Sequence, residues 1–302
     1  VLSVLSFSSL FLANTVMDQN IIALYDEYTH TPLDRRTFLS RLAVLTGGMS
    51  SALALVPLLE AQTAHAGMIP PQDERLTTER TNYLTDSGTI TAYTAAPVGT
   101  SKLPTVLVIH ENRGLNPHIE DITRRLALAG FFAIAPDLLS PLGGTPTNED
   151  TARDMIGKLV VTDTMRNLIA GIRHYAGHAR SNGNVGAVGF CWGGGTVGEL
   201  AVQTALLKAG VVYYGRQPKP ADVEKISAPL LLHYAGLDTR VNEGIPAFEQ
   251  SLQKAQKKYT LHLYEGVNHA FNNNTSQARY NKEAAELAWQ RTTAFLTLHL
   301  RG

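Results

Sequence analysis

Residues 185–196 read Val185-Gly-Ala-Val-Gly189-Phe190-Cys191-Trp192-Gly193-Gly194-Gly195-Thr196. Val185 to Phe190 is a short run of small and apolar side chains, the pattern of a strand covered on both faces. Gly194 to Leu207 has the composition and spacing of a helix. Between the two, Cys191 stands with a glycine two residues to either side. Such a spacing belongs to a tight, strained turn, where a side chain at either glycine would clash. The apex residue then lies over the amino end of the following helix. Unpaired N–H groups there favour a thiolate and a developing oxyanion. Two bland readings stand beside this one. A free cysteine is commonly buried and inert. A dinucleotide-binding loop needs G-x-G-x-x-G, a spacing that Gly189, Gly193, Gly194 and Gly195 do not supply.

Outward from this turn, strand and helix alternate. Tyr83 to Thr85, a turn at Asp86-Ser87-Gly88, and Ile90 to Ala95 read as a hairpin. Thr105–His110, Phe131–Ala135, Val211–Tyr214, Leu230–Tyr234 and Leu261–Tyr264 read as further strands. Ile119–Ala129, residues 149–177, Glu243–Gln256 and Gln277–Leu298 read as helices. Alternation of this kind predicts a mostly parallel central sheet with helices on both faces and an antiparallel hairpin at its N-terminal side. In such sheets ligands bind beyond the carboxyl ends of the strands. Asp238 follows the strand Leu230–Tyr234, and His269 follows Leu261–Tyr264. Nucleophile, acid and histidine in that chain order, each after a strand, is the triad order of the α/β-hydrolase fold. Taken singly, Asp238 reads equally well as a turn cap and His269 as a loop histidine.

The N-terminal stretch reads as an address. Asp34-Arg35-Arg36-Thr37-Phe38-Leu39-Ser40-Arg41 precedes an apolar run, Leu42 to Leu59, and then Ala64-His65-Ala66, a small-x-small cleavage pattern. The paired Arg35-Arg36 followed by Phe38-Leu39 resembles a twin-arginine export signal. The apolar run is broken by Gly47-Gly48 and Pro57 and is short for a bilayer span. Cleavage after Ala66, no stable membrane anchor and a periplasmic protein are the expectations. Val1–Val16 is apolar, and Met17 reads as an alternative start. Residues 1–66 are thus set apart from a single domain over 67–302.

Composition narrows the function classes. The 302 residues carry 26 basic and 26 acidic side chains, a balance that argues against a nucleic-acid binder. Hydrophobic residues at 44% and charged residues at 17% exclude a disordered chain. A lone cysteine excludes a disulfide framework and a cysteine-cluster metal site. His174 and His178 stand four apart on a helix, but no third ligand is evident, and they read as a solvated face. His110, His233 and His262 read as core or supporting histidines. Arg124-Arg125 and Lys257-Lys258 read as solvated faces. Neither a metal nor a cofactor is called for.

Several segments together resemble the dienelactone hydrolase family, the cysteine-nucleophile branch of the α/β-hydrolases, over about residues 80–300. They are His110-Glu111, Ala135-Pro-Asp-Leu138, Gly189-Phe-Cys-Trp-Gly-Gly194, Val212-Tyr-Tyr-Gly215, Gly236-Leu-Asp238 and Gly266-Val-Asn-His269-Ala-Phe271. The resemblance implies Cys191 as nucleophile, His269 as base and Asp238 as its orienter. It implies that Glu111 meets the resting thiol and gates it, and that backbone N–H groups of Trp192 and Asn112 form the oxyanion hole. The implied activity is hydrolysis of a small ester or lactone through a thioester on Cys191, as in a carboxymethylenebutenolidase. Thioesterase or acyl-transfer chemistry on the same triad stands as an alternative, as does a thiol-redox or binding protein on the same fold. The founding enzymes hold a substrate carboxylate with arginines, one of them shortly after the catalytic histidine. Here Asn272-Asn273-Asn274 stands in that place, with no arginine before Arg279. Arg113 is either a replacement anion binder or half of a surface salt bridge. Tyr213 and Tyr214 either line the pocket or fill core. The oligomeric state is open.

Overall fold

The computed structural model describes residues 17–60, 68–99 and 102–301. They fall into two compact units, one within Val1–Glu60 and one within Ala61–Gly302.

The first unit is helical: α1 (Gln19–His30), α2 (Arg35–Thr46) and α3 (Met49–Glu60). Asp34 caps α2 by accepting from the N–H groups of Arg36 and Thr37. Gly47 ends it in the left-handed region, φ 77°. Tyr28 stacks on Phe38 with centroids 4.4 Å apart, and Arg35 pairs with Glu60 at 2.8 Å. A stretch read from sequence as an address thus has helical structure of its own, because its alanines and leucines are good helix formers and its caps are in place. No single described helix is long and apolar enough to cross a membrane. The pair α2 and α3 passes that test only when taken together, across a 110° bend. Val1–Val16 and the cleavage pattern at Ala64-His65-Ala66 lie outside the described residues.

In the second unit eight strands form one sheet in the order β1-β2-β4-β3-β5-β6-β7-β8. They are β1 (Leu76–Thr85), β2 (Gly88–Pro97), β3 (Leu103–Ile109), β4 (Phe132–Pro136), β5 (Ser181–Phe190), β6 (Ala209–Tyr213), β7 (Leu230–Ala235) and β8 (Tyr259–Tyr264). The hairpin β1–β2 is antiparallel and continues antiparallel onto β4. From β4 to β8 every neighbouring pair is parallel. The fold is the α/β-hydrolase fold. The inner strands read as continuous apolar runs because helices cover both faces. These helices are α4 (Pro117–Leu128), α5 (Glu149–Ile156), α6 (Val161–Ala176), α7 (Trp192–Gln203), α8 (Thr239–Asn242), α9 (Ile245–Lys254) and α10 (Lys282–Leu300). Two cores result. One gathers Leu107, Ile134, Leu168, Leu200 and Leu232. The other gathers Val108, Ile122, Phe190, Val211 and Leu296.

Three expectations need correction. Helix α7 begins at Trp192, directly after the cysteine, and ends at Gln203. Helix α10 begins at Lys282, where the Asn281 side chain accepts from the Ala284 N–H, so residues 270–281 are free to shape a loop. Arg124 is no solvated face: it is 3% exposed, and its guanidinium donates to the Ile69 carbonyl at 2.8 Å and the Tyr93 hydroxyl at 3.0 Å. Arg125 lies over the Trp289 ring at 4.1 Å. The amphipathic period of α4 could not reveal this, because a long side chain buries its stem while its head finds partners on other elements.

Candidate active site

The parallel strands deliver the candidate side chains to one rim of the sheet. Glu111 lies just past β3, Cys191 follows β5, Tyr214 follows β6, Asp238 lies just past β7 and His269 just past β8. All five are buried.

Cys191 has φ 55° and ψ −115°, a region that non-glycine residues avoid at a cost of about 1–3 kcal/mol. Two hydrogen bonds hold it there: its N–H donates to the Tyr213 carbonyl at 3.0 Å, and its carbonyl accepts from the Gly195 N–H at 3.1 Å. The glycines are obligatory. A Cβ on Gly189 would sit 2.1 Å from the Gly193 carbonyl oxygen, and one on Gly193 would sit 2.3 Å from that of Ile109. Both obstacles are backbone. Gly189→Ala is therefore expected to destabilise the protein by about 3 kcal/mol or more. A urea denaturation midpoint that stays at the wild-type value would refute this. Tyr214 (φ 39°) and Ala270 (φ 62°) are also at positive φ, so three of the five such non-glycine residues described border this rim.

Asp238 and His269 meet. His269 Nδ1 donates to Asp238 Oδ2 at 2.5 Å. The other carboxylate oxygen caps α8 by accepting from the Val241 N–H at 3.2 Å. The imidazole also acts on Cys191, whose sulfur and one ring nitrogen lie within 4.8 Å of each other. Because Nδ1 is committed to Asp238, Nε2 is the nitrogen left to serve the sulfur. Burial opposes the imidazolium, but the charge and hydrogen bond of Asp238, with those of Cys191, raise His269 to about 10. Burial likewise opposes the Asp238 carboxylate, yet the His269 charge and hydrogen bond hold its carboxyl below the usual range.

Glu111 lies 6% exposed. Its Oε2 accepts from Asn273 Nδ2 at 2.9 Å, and its Oε1 is buried with no hydrogen-bond partner among the described residues. Burial pushes the carboxyl up. The charges of Arg279, His269 and Arg113, with the Asn273 bond, pull the other way without overcoming it. Behind it, His110 donates from Nδ1 to the Glu111 carbonyl at 2.7 Å and accepts at Nε2 from the Leu138 N–H at 3.3 Å. Burial lowers the pKa of His110, which suits the neutral ring that this pair of bonds requires. Its ring stacks on Trp192, 5.4 Å away. His110 therefore fixes the backbone that carries Glu111.

The remaining candidates separate cleanly. Trp192 is the first residue of α7, so its N–H has no carbonyl to bond within the helix. Asn112 lies half-buried in the turn after Glu111. Tyr213 is core: its hydroxyl bonds Thr292 at 2.7 Å. Tyr214 lines the site, its ring 4.9 Å from that of His269. Arg113 lies 3.5 Å from Asp150 and 3.6 Å from Glu149. Sequence reasoning missed Asn273 as the partner of Glu111, having noticed it only as a missing arginine. A polar side chain four residues past the histidine was the available signal.

The dienelactone hydrolase family model matches residues 90–300. A second family model, YqhI-like, matches residues 14–47. A protein of Saccharolobus solfataricus named "Putative carboxymethylenebutenolidase" is 34% identical over 257 residues, covering 71% of this chain and 96% of the relative. A Bradyrhizobium protein named "Probable 2-oxo-3-(5-oxofuran-2-ylidene)propanoate lactonase" is 32% identical, covering 70% and 90%. A crystal structure described as "Putative Dienelactone Hydrolase" from Klebsiella pneumoniae superposes with a TM-score of 0.67 at 28% identity, covering 74% of this chain and 98% of that one. With the family model matched across most of the second unit and such relatives spanned nearly end to end, the chain belongs to the dienelactone hydrolase family and is a hydrolase of ester bonds.

Proposed function

We propose that the protein hydrolyses a small carboxylic ester or lactone through a thioester on Cys191. The observation that carries this reading is the closeness of Cys191 Sγ to a His269 ring nitrogen, within 4.8 Å, with His269 Nδ1 bonded to Asp238 and Cys191 directly preceding α7. The thiolate attacks the acyl carbon, and its electron pair becomes the new C–S bond. The carbonyl oxygen takes the negative charge, met by the backbone N–H groups of Trp192 and Asn112. Collapse breaks the acyl C–O bond. His269, protonated at neutral pH, gives its proton to the departing alkoxide. It then takes a proton from water, the hydroxide attacks the thioester, and the thiolate leaves with the C–S electron pair. His269 is thus an acid first and a base second, where the sequence suggested only the base. Asp238 fixes the tautomer and supports the imidazolium. Glu111 discourages a thiolate in the empty site through its own charge, and substrate displaces it from the sulfur by engaging its bare oxygen.

The test is a trapped adduct. After mixing with candidate esters and lactones and acid quenching, mass spectrometry is expected to find the acyl mass on the peptide holding Cys191. A series of turned-over substrates that never acylates this peptide overturns the thioester. In the same assay Glu111→Gln is expected to alkylate with iodoacetamide faster than wild type when no substrate is present; equal rates remove the gating role.

We propose in addition that residues 34–66 direct export by the twin-arginine route to the periplasm. The support is the order Arg35-Arg36, apolar run, Ala64-His65-Ala66. In a bacterium with that route, the full chain is expected in the periplasmic fraction, and the double substitution Arg35→Lys with Arg36→Lys is expected to hold it in the cytoplasm. Equal periplasmic yields from both refute this route.

A further inference from the structure

Two side chains that act on Cys191 or lie against its histidine, Tyr214 and Glu111, each keep a polar atom that an acyl group could meet. The Tyr214 hydroxyl and Glu111 Oε1 are both buried with no hydrogen-bond partner among the described residues. Tyr214 is at the triad, its ring against His269 and 5.4 Å from Phe271. Glu111 and Cys191 are both close enough to act on its hydroxyl electrostatically.

The two arginines and the Asn273 amide that act on Glu111 already have partners. Arg113 faces Asp150 and Glu149. Asn273 gives its amide N–H to Glu111, and its carbonyl accepts from the N–H and hydroxyl of Thr275 at 3.0 and 2.6 Å. Arg279 donates from Nε to Ser276 at 3.0 Å, and its charge acts on Glu111. The charges already offset one another: half-buried Arg279 acts on Glu111, and His269 pairs with Asp238. A second carboxylate would set its oxygens against Glu111 Oε1 where water cannot screen them. An uncharged group that accepts from Tyr214 and donates to Glu111, as a hydroxyl does, would satisfy both atoms.

We propose that this site selects acyl groups without a negative charge, and that Glu111 determines that selectivity. The inference rests on the thioester reading above and narrows its substrate class. It separates this chain from the Bradyrhizobium relative, whose name specifies a propanoate.

Two chromogenic probes of equal chain length test it: p-nitrophenyl hexanoate, uncharged, and mono-p-nitrophenyl adipate, which ends in a carboxylate. Wild type is expected to favour the hexanoate in kcat/KM by about tenfold or more. Glu111→Gln, isosteric and uncharged, is expected to bring the ratio within about threefold, chiefly through KM for the adipate. A ratio of two substrates on one enzyme cancels any effect common to both, including release of the gate. A wild-type ratio near one, a preference for the adipate, or a ratio unmoved in Glu111→Gln overturns the charge selectivity while leaving the thioester intact. Absence of acyl mass on Cys191 from either probe overturns the thioester reading, and the selectivity with it.

Discussion

Cys191→Ala is expected to lower ester hydrolysis by at least about 10⁴-fold and to leave no acyl mass on the peptide that contains position 191. The expectation follows from position as much as from chemistry. Cys191 is the chain's sole cysteine, so no second thiol can take over. It sits on a strained backbone whose geometry is set by Gly189, Gly193 and the Tyr213 carbonyl rather than by the sulfur. Removing the sulfur should therefore leave the fold in place, and an unchanged denaturation midpoint is part of the expected result. Turnover that survives the substitution would show that water or another side chain attacks the acyl group. A protein with no turnover in either form, whose Cys191 oxidises and recovers reversibly, would point to thiol-redox chemistry instead.

Asp238→Asn should cost on the order of 10⁴-fold in kcat, because an amide can present its N–H to Nδ1 and favour the wrong tautomer. It should also change how stability depends on pH. His269 has its pKa raised from 6.5 to about 10 by folding. A raised pKa contributes stability that is fully present below the unfolded value and is lost as pH rises through the folded one. Wild type is therefore expected to lose melting temperature between about pH 6.5 and 10, and Asp238→Asn to lose much less over the same window. The carboxylate works in the opposite direction: its lowered pKa contributes stability above its unfolded value, lost as pH falls through the folded one. Parallel melting curves for the two proteins from pH 6 to 10 would show that the pair does not hold the imidazolium.

These expectations draw on both levels of description. Glycine at 189 and 193, cysteine between them, an acid after one strand and a histidine after the next could be read in order from the chain. They are legible because each answers a local demand: a backbone that tolerates no Cβ, a strand end, a turn. The strand–helix rhythm was legible for the same reason, since burial on both faces writes continuous apolar runs into β3, β5 and β7. Much of the supporting set was not. Nothing near Arg124 announces that Ile69 and Tyr93 will receive its guanidinium. Nothing near Glu111 announces that Asn273, 162 residues away, will hold one oxygen and leave the other bare.

What the sequence determined by itself was the family, the chain order of the candidate groups and the candidate nucleophile, all carried by short-range patterns. Only the tertiary structure decided which charges meet: that Arg113 belongs to the acids of α5, that Tyr213 is core while Tyr214 faces the imidazole, and that Glu111 shares its burial with a neutral amide. The reason is physical. A backbone conformation is chosen by neighbours in the chain, whereas the energy of a buried charge is set by whatever the fold brings within a few ångströms of it.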